Sequence, residues 1–207
     1  MAGKDIEKLI KLVAKLPALG TRSSRRIVLQ LLKKRKSLFL PLIDAMQQVA
    51  ANVKTCDICG NYDTESPCSI CSSQSREDGV VCVVQDVADL WAMERVSMFK
   101  GKYHVLGGIH IAVQIGEGHL RLHHPELSQV ARRIGVFRRI EKENIKEIIL
   151  ALPATIDGQI TTNYLLQQLK NYDIKVTTLA QGIPMGAELD YMDEGTIQLA
   201  LNSRKVL

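Results

Sequence analysis

The pattern of apolar and polar positions divides the chain into a helical first part and a mixed second part. Apolar residues recur at helical spacing in three stretches of the first 54 residues. These stretches are 5–16, 22–34 and a third that begins at Pro41. The segment LPALG (16–20) separates the first two, and a proline suits the first position of a helix. We therefore predict three helices, the second with Ile27, Leu31 and Leu32 facing inward.

The pattern changes after residue 79, where short and continuous apolar runs alternate with longer stretches of helical period. The predicted strands are 80–84, 103–106, 148–150 and 174–179, and the predicted helices lie near 87–98, 126–141 and 160–171. Continuous apolar runs such as VVCVV (80–84) suit strands that are buried on both faces of a sheet. The alternation of strands and helices predicts a three-layer α/β domain with a mainly parallel sheet.

Charge is distributed unevenly along the 207 residues, which hold 27 Lys and Arg, 22 Asp and Glu, and a formal net charge of +5. Residues 1–36 contain 11 of the basic residues and 2 of the acidic ones. A locally basic end predicts a polyanionic partner, most often nucleic acid, although a solvated helix face accounts for the same residues. No apolar run approaches about 18 residues, and the N-terminal stretch lacks signal-peptide features. We expect a cytoplasmic protein without a membrane span.

Four of the five cysteines form two pairs with two residues inside each pair. The pairs are Cys56 with Cys59 and Cys68 with Cys71. Two such knuckles supply the four thiolates of a tetrahedral Zn²⁺ site, which leaves no position for water. We predict one structural, non-catalytic zinc ion per chain; two disulfides are the alternative, which a reducing cytoplasm disfavours. Cys82 lies inside an apolar run and is predicted to be a buried, inert thiol.

The segment LPALGTRSSRR (16–26) resembles a helix-hairpin-helix motif. A tight turn ending at Gly20 leaves backbone N–H groups free at the start of the next helix, where they and the helix dipole can bind a phosphate. Arginines at i, i+3 and i+4 of that helix can face a single nucleic-acid backbone. A plain helical hairpin is the alternative. The predicted DNA-contacting residues are Gly20, Arg22, Arg25, Arg26, Lys33, Lys34 and Arg35.

Taken together, these motifs resemble one family, the bacterial recombination mediator RecR. The matching stretches are LPALGTRSSRRIVLQLL (16–32), CDICGNYDTESPCSIC (56–71), VCVVQDVADLWAME (81–94), KYHVLGG (102–108) and TLAQGIPMGAELDYMDEGTIQLAL (178–201). The resemblance implies a helix-hairpin-helix module at 1–54, a four-Cys zinc finger at 55–78, a Toprim domain at 79–175 and a C-terminal tail for assembly at 176–207.

The resemblance also implies a function and partners. Members of this family act in recombinational DNA repair with RecO, and in some settings with RecF. They help RecA to load on gapped DNA that is coated by single-strand binding protein. They form ring-like homo-oligomers that can encircle DNA.

Two arginine pairs, Arg132–Arg133 and Arg138–Arg139, are candidates for a further DNA-contacting surface; a solvated amphipathic face is the alternative.

Toprim enzymes hold Mg²⁺ with a glutamate after the first strand and a later Asp-x-Asp. In this chain the first position is Gln85, and the later pair reads Asp157 and Gln159. An amide is a poor ligand for a hard cation and cannot act as a general base. We expect Asp86 to cap the following helix. We therefore predict that the protein is not an enzyme; the alternative is a Mg²⁺-dependent nuclease, primase or topoisomerase fragment.

Overall fold

The structure is a computed structural model that describes residues 3–108, 112–116, 119–123 and 127–204, with the side chains of 3–108 and 135–204. The chain divides into two compact units, Met1–Val53 and Lys54–Leu207. Within the described ranges, every helix is too short or too polar to cross a membrane.

The first unit contains the three predicted helices. Helix α1 spans Lys4–Val13, α2 spans Thr21–Lys33 and α3 spans Leu40–Asn52, and a π-helical turn at Arg35–Phe39 joins α2 to α3. Pro41 lies in the first turn of α3, where its missing N–H would have no partner in any case. The prediction of three helices is confirmed.

The buried face of α2 differs by one position from the predicted one. Ser24, Val28 and Leu31 are buried, whereas Leu32 is 37% exposed, so its predicted inward orientation is wrong. The buried residues are spaced i, i+4 and i+7, which defines one stripe of a helix. Ser24 fits this stripe because its hydroxyl donates a hydrogen bond to the Gly20 carbonyl at 2.9 Å.

The second unit is built on a parallel sheet. Its elements are β1 Lys54–Thr55, β2 Tyr62–Asp63, α4 Ser69–Ser72, β3 Val80–Val84, α5 Val87–Val96, β4 Lys102–Val105, β5 Ala112–Gly116, β6 His119–His123, α6 Leu127–Lys142, β7 Glu147–Ala151, α7 Ile156–Leu169, β8 Lys175–Thr178 and α8 Glu194–Asn202. Four strands pair in the order β4-β3-β7-β8, all parallel. The four predicted strands and three predicted helices are confirmed. The β1–β2 and β5–β6 ribbons, α4 and α8 are additional.

The sheet is covered on both faces, which confirms the predicted three-layer arrangement. Alternate residues of β3 point to opposite faces. Val81 and Val83 pack against residues of α6 and α7, and Cys82 and Val84 pack against residues of α5. Cys82 is fully buried, as predicted, and burial raises the pKa of its thiol to about 12.

Candidate zinc centre and nucleic-acid interface

The four paired cysteines come together in one buried cluster. The first knuckle, Cys56–Cys59, lies between strands β1 and β2, and the second, Cys68–Cys71, begins at the N-cap of α4. The four sulfur atoms all lie within 4.8 Å of one another. A tetrahedral zinc site with Zn–S bonds of about 2.3 Å requires sulfurs about 3.8 Å apart, so the cluster fits Zn²⁺.

Backbone N–H groups point at the sulfur atoms. The Cys68 N–H donates to Cys56 Sγ at 3.3 Å, and the Asn61 N–H donates to Cys59 Sγ at 3.4 Å. Burial pushes the pKa of Cys56 upward, but backbone N–H donors lower it to about 7. Burial raises the pKa of Cys68 to about 11. Because Zn²⁺ binds thiolates, metal binding would release the protons that the cysteines retain.

Two hydrogen bonds attach the first knuckle to the parallel-sheet domain. The Val105 N–H donates to the Cys59 carbonyl oxygen at 2.7 Å, along the free edge of β4. The indole N–H of Trp91, on α5, donates to the Asn61 side-chain oxygen at 3.1 Å. Asn61 itself is buried next to the knuckle. The cysteine cluster is thus attached to both a strand and a helix of the second unit.

The start of α2 has the features of an anion site. Gly20 is the N-cap, no side chain caps the helix, and no acidic residue lies in its first turn. Side chains cap α5, α7 and α8, whereas α1, α3 and α4 also begin without a side-chain cap. The turn before α2 places Ala18 at φ 61°, a left-handed conformation that favours glycine. The first N–H groups of α2 are therefore available to a ligand.

The predicted DNA-contacting residues form one group at the start of α2 and a second group at its end and just beyond it. All of the basic side chains among them are exposed and form no ion pair within the described residues. Arg22, Arg25 and Arg26 lie in the first two turns, next to Gly20. Lys33 lies on the same flank as Arg22 and Arg26, about 17 Å beyond Arg22 along the helix axis. Lys34 and Arg35 follow at the junction with the π-helical turn.

The residues at the predicted metal positions follow two neighbouring strands that end at the same edge of the sheet. Val84 and Ala151 are paired at the ends of β3 and β7, so Gln85 and the start of α7 follow from the same edge. Asp157 and Gln159 lie in the first turn of α7 and are exposed. Asp86 is the N-cap of α5, forming a capping box with Asp89, which confirms its predicted role. Its carboxylate is therefore engaged by the helix.

Arg139 was a candidate for an exposed DNA-contacting surface, but the structure does not expose it. Its side chain is buried, forms an ion pair with Glu143 at 2.9 Å and donates to the Tyr103 carbonyl oxygen at 2.6 Å. Arg139 is therefore unavailable to DNA, because it binds α6 to the strand beneath it. Its neighbour Arg138 is exposed. The side chains of Arg132 and Arg133 lie outside the described residues.

A second internal ion pair was not predicted from the sequence. Arg76 donates hydrogen bonds to both carboxylate oxygens of Glu94, and the Tyr103 hydroxyl donates to Glu94 Oε1 at 2.7 Å. The Arg76 hydrogen bonds, opposed in part by burial and helped by Tyr103, lower the pKa of Glu94. These residues are far apart in sequence, so no local motif marks them.

Comparison with known proteins agrees with this architecture. A model of the Toprim domain matches residues 79–180, a model of the RecR four-cysteine zinc finger matches 53–73, and a model of the RecR C-terminal region matches 182–205. The fold and the cysteine cluster therefore define a Toprim protein with a four-cysteine zinc finger. The zinc prediction is confirmed, since the clustered cysteines lie within the matched zinc-finger region.

Full-length relatives identify the family. The chain is 51% identical to the recombination protein RecR of Ruegeria pomeroyi over 210 residues, covering 100% of both chains. It is 48% identical to that of Phenylobacterium zucineum over 205 residues, covering 99% of this chain and 97% of the relative. The chain belongs to the RecR family of recombination proteins.

Proposed function

We propose that this protein is a non-catalytic, DNA-binding recombination mediator that acts in the cytoplasm. It works with RecO, and in some settings with RecF, to help RecA load on gapped DNA during recombinational repair. Family membership supports the recombination role. The start of α2 supports the DNA-binding step, and it is the observation that carries this part of the proposal.

DNA binding would use phosphates rather than bases. The uncapped N–H groups after Gly20 suit one phosphate, and the exposed guanidinium groups of Arg22 and Arg26 suit the phosphates on either side. The first unit holds only one aromatic residue, Phe39, so it lacks a platform on which bases could stack. Binding should therefore be weakly sequence-specific and strongly dependent on salt.

The proposal includes assembly into a ring-like homo-oligomer. Large apolar side chains are exposed on α3, where Met46 and Val49 are both 60% exposed, and in the tail, where Met185 and Tyr191 are exposed. Contiguous exposed apolar surface is typical of an interaction site. In this organisation residues 1–54 bind DNA, 55–78 hold zinc, 79–175 form the Toprim domain and 176–207 serve assembly.

The absence of catalysis is also part of the proposal. Gln85 and Gln159 stand at two of the three carboxylate positions of a Toprim metal site, and Asp157 alone retains a carboxylate. One carboxylate with phosphates is a weak Mg²⁺ site. A Mg²⁺-dependent nuclease, primase or topoisomerase activity would contradict this part, and nicking or relaxation of plasmid DNA that is lost in Asp157→Asn would reveal it.

The DNA-binding step is tested with Arg22→Ala, Arg26→Ala and the double variant. Fluorescence anisotropy with duplex and gapped DNA across a salt series measures the dissociation constant. Each lost phosphate contact should reduce the log–log salt slope on duplex DNA by about 0.9 per protomer. Arg95→Ala removes one exposed arginine from the second unit and is the control for the single variants, and Arg95→Ala/Lys170→Ala is the charge-matched control for the double variant. If the double variant binds like Arg95→Ala/Lys170→Ala at every salt concentration, the α2 site is refuted.

The mediator step needs a separate assay. The protein and RecO are added to gapped DNA coated with single-strand binding protein, and RecA filament formation is followed by its ATPase activity. We expect the wild-type protein to shorten the lag, and Arg22→Ala with Arg26→Ala to lose most of that effect. An equal lag with and without the protein would contradict the mediator role.

A further inference from the structure

A basic cleft on the second unit is left unexplained by the proposed function. About 550 Å³ in volume, it lies between the first cysteine knuckle and the C-terminal part of α6. Residues Thr55 to Ile58 and Gly60 form one wall, and Gly135, Arg138 and Lys142 lie on the other. We call it the α6 cleft.

The charges that line the α6 cleft leave a positive excess. Glu143 is neutralised by Arg139, and the Asp57 carboxylate accepts a hydrogen bond from Ser66 at 2.8 Å. Arg138 and Lys142 are exposed and form no ion pair within the described residues. The hydrogen bond from Ser66 leaves the charge of Asp57 in place, so the ionic side chains of the lining, three cations and two carboxylates, carry a net positive charge of one.

Arg138 and Lys142 are held at a fixed spacing. They are four residues apart on α6, so their side chains emerge on the same flank about 6 Å apart at Cβ. Arg139 fixes this end of the helix by its ion pair with Glu143 and its hydrogen bond to the Tyr103 carbonyl. Gly135 lies against His104, where an added Cβ would be 3.1 Å from the imidazole. The helix is therefore closely packed on β4 beside the knuckle.

We propose that the α6 cleft is a second phosphate-binding site for DNA, with Arg138 and Lys142 as the contacting residues. This inference rests on the proposed DNA-binding function, but it concerns different residues in the other unit. Exposed Lys and Arg side chains are the groups that usually contact the phosphates of a nucleic-acid backbone. Two adjacent cations on one helix flank match two successive phosphates of one strand.

A structural explanation exists for Lys142, which lies in the last turn of α6, and more weakly for Arg138, which lies one turn before it. Basic side chains in the last turn of a helix stabilise the helix through its dipole, typically by about 0.3–1 kcal/mol. That role predicts a small loss of stability when the side chains are removed, and no change in the salt dependence of DNA binding. The two explanations therefore differ in a measurable quantity.

The test compares Arg138→Ala/Lys142→Ala with Arg95→Ala/Lys170→Ala in the full chain. Arg95 and Lys170 are also exposed at helix C-termini, so the control has the same net charge and loses the same kind of dipole interaction. We expect the α6 variant to lose about 1.8 from the log–log salt slope on duplex DNA. The affinity advantage of the wild type over this variant should then shrink roughly tenfold between about 50 and about 200 mM salt. The control should keep the wild-type slope.

Measurements of zinc content and thermal unfolding establish first whether both double variants are folded. An α6 variant with the slope of the control would overturn the inference. Arg22→Ala/Arg26→Ala, measured alongside, separates the two proposals. If it loses affinity while the α6 variant does not, only the second site fails; if neither loses affinity, the proposed DNA-binding function fails as well. Weaker binding to an acidic peptide with unchanged DNA binding would also overturn the assignment to DNA.

Discussion

The Val105 N–H donates to the carbonyl oxygen of Cys59 at 2.7 Å. Val105 belongs to β4, an edge strand of the parallel sheet, and Cys59 belongs to the buried sulfur cluster. An edge strand carries unpaired backbone groups that need a partner or solvent. The knuckle supplies that partner, so the order of the sheet edge depends on the order of the cluster.

We predict that Cys56→Ser releases zinc and destabilises the second unit. Structural zinc provides about 10–16 kcal/mol to isolated zinc-finger peptides, and a knuckle packed on a sheet should depend on it less. Elemental analysis should find one zinc per wild-type chain and well below one in the variant. Hydrogen exchange should increase at β4 as well as in the knuckles, because Val105 loses an ordered acceptor.

Cys82→Ser is the control for this prediction. It also replaces a buried cysteine, and burying a hydroxyl without a partner destabilises by about 1–3 kcal/mol. It should nevertheless keep one zinc per chain. Wild-type protein purified without chelator and free of zinc would contradict the assignment of the cluster.

We predict that Ala18→Gly stabilises the first unit. Ala18 has φ 61°, and a left-handed conformation is unfavourable by about 1–2 kcal/mol for a residue with a Cβ. Glycine gives back part of this gain because its unfolded chain has more freedom, so a net gain of up to about 1 kcal/mol is expected. Urea denaturation measures it. Ala14→Gly, at φ −70°, should instead destabilise by about 0.5–1 kcal/mol; a loss of stability in both variants would refute the strain at Ala18.

We predict that Glu94→Gln destabilises the protein near neutral pH and much less in acid. The hydrogen bonds from Arg76 lower the pKa of Glu94 in the folded state. The carboxylate therefore contributes stability above its unfolded pKa of about 4.3, and this contribution is lost as the pH falls through the lower folded pKa. Charge-assisted hydrogen bonds of this kind are worth about 1.5–3 kcal/mol.

Unfolding free energies of wild type and Glu94→Gln at pH 7 and at pH 3 test this prediction. Glu65→Gln, at an exposed position, should stay within about 0.5 kcal/mol of wild type at both pH values. A difference between Glu94→Gln and wild type that does not shrink in acid would show that the loss comes from packing rather than charge.

We predict that Gln85→Glu/Gln159→Glu raises the affinity for Mg²⁺ at least tenfold. The two substitutions add carboxylates at the edge where β3 and β7 end, and Asp157 lies in the same turn as Gln159. Carboxylates are the ligands that Mg²⁺ prefers. Isothermal titration calorimetry measures the affinity. Gln167→Glu/Gln168→Glu, with the same charge change further along α7, should leave it unchanged, and an equal gain in both variants would point to bulk charge alone.

Sequence patterns predicted the sheet well because its central strand β3 is buried on both faces. A run such as Val80–Val84 has no polar position that another structure would require. The four cysteines were equally informative, since their spacing alone defines the knuckles. The β5–β6 ribbon was missed although its strands are as long as β3 and HLRLH (119–123) alternates polar and apolar residues, which is the period of a strand.

Contacts between distant segments were not predictable in the same way. Arg138 and Arg139 are adjacent residues of the same type, and only the packing of α6 on β4 decides which one is buried. The burial of Val28 instead of Leu32 on α2 has the same origin. The spacing of apolar residues identifies a helix, but it does not determine exactly which side of the helix faces its packing partner. The Arg76–Glu94 pair joins segments 18 residues apart.

The hydrogen bond between Trp91 and Asn61 makes tryptophan fluorescence a reporter of the cysteine cluster. Trp91 is the single tryptophan of the chain, and its ring is about half exposed while its N–H is fixed on the residue that donates to the Cys59 sulfur. Emission excited at long ultraviolet wavelengths thus originates from one ring beside the metal cluster. Chelation of zinc should shift that emission, so the metal content can be followed in real time without a label.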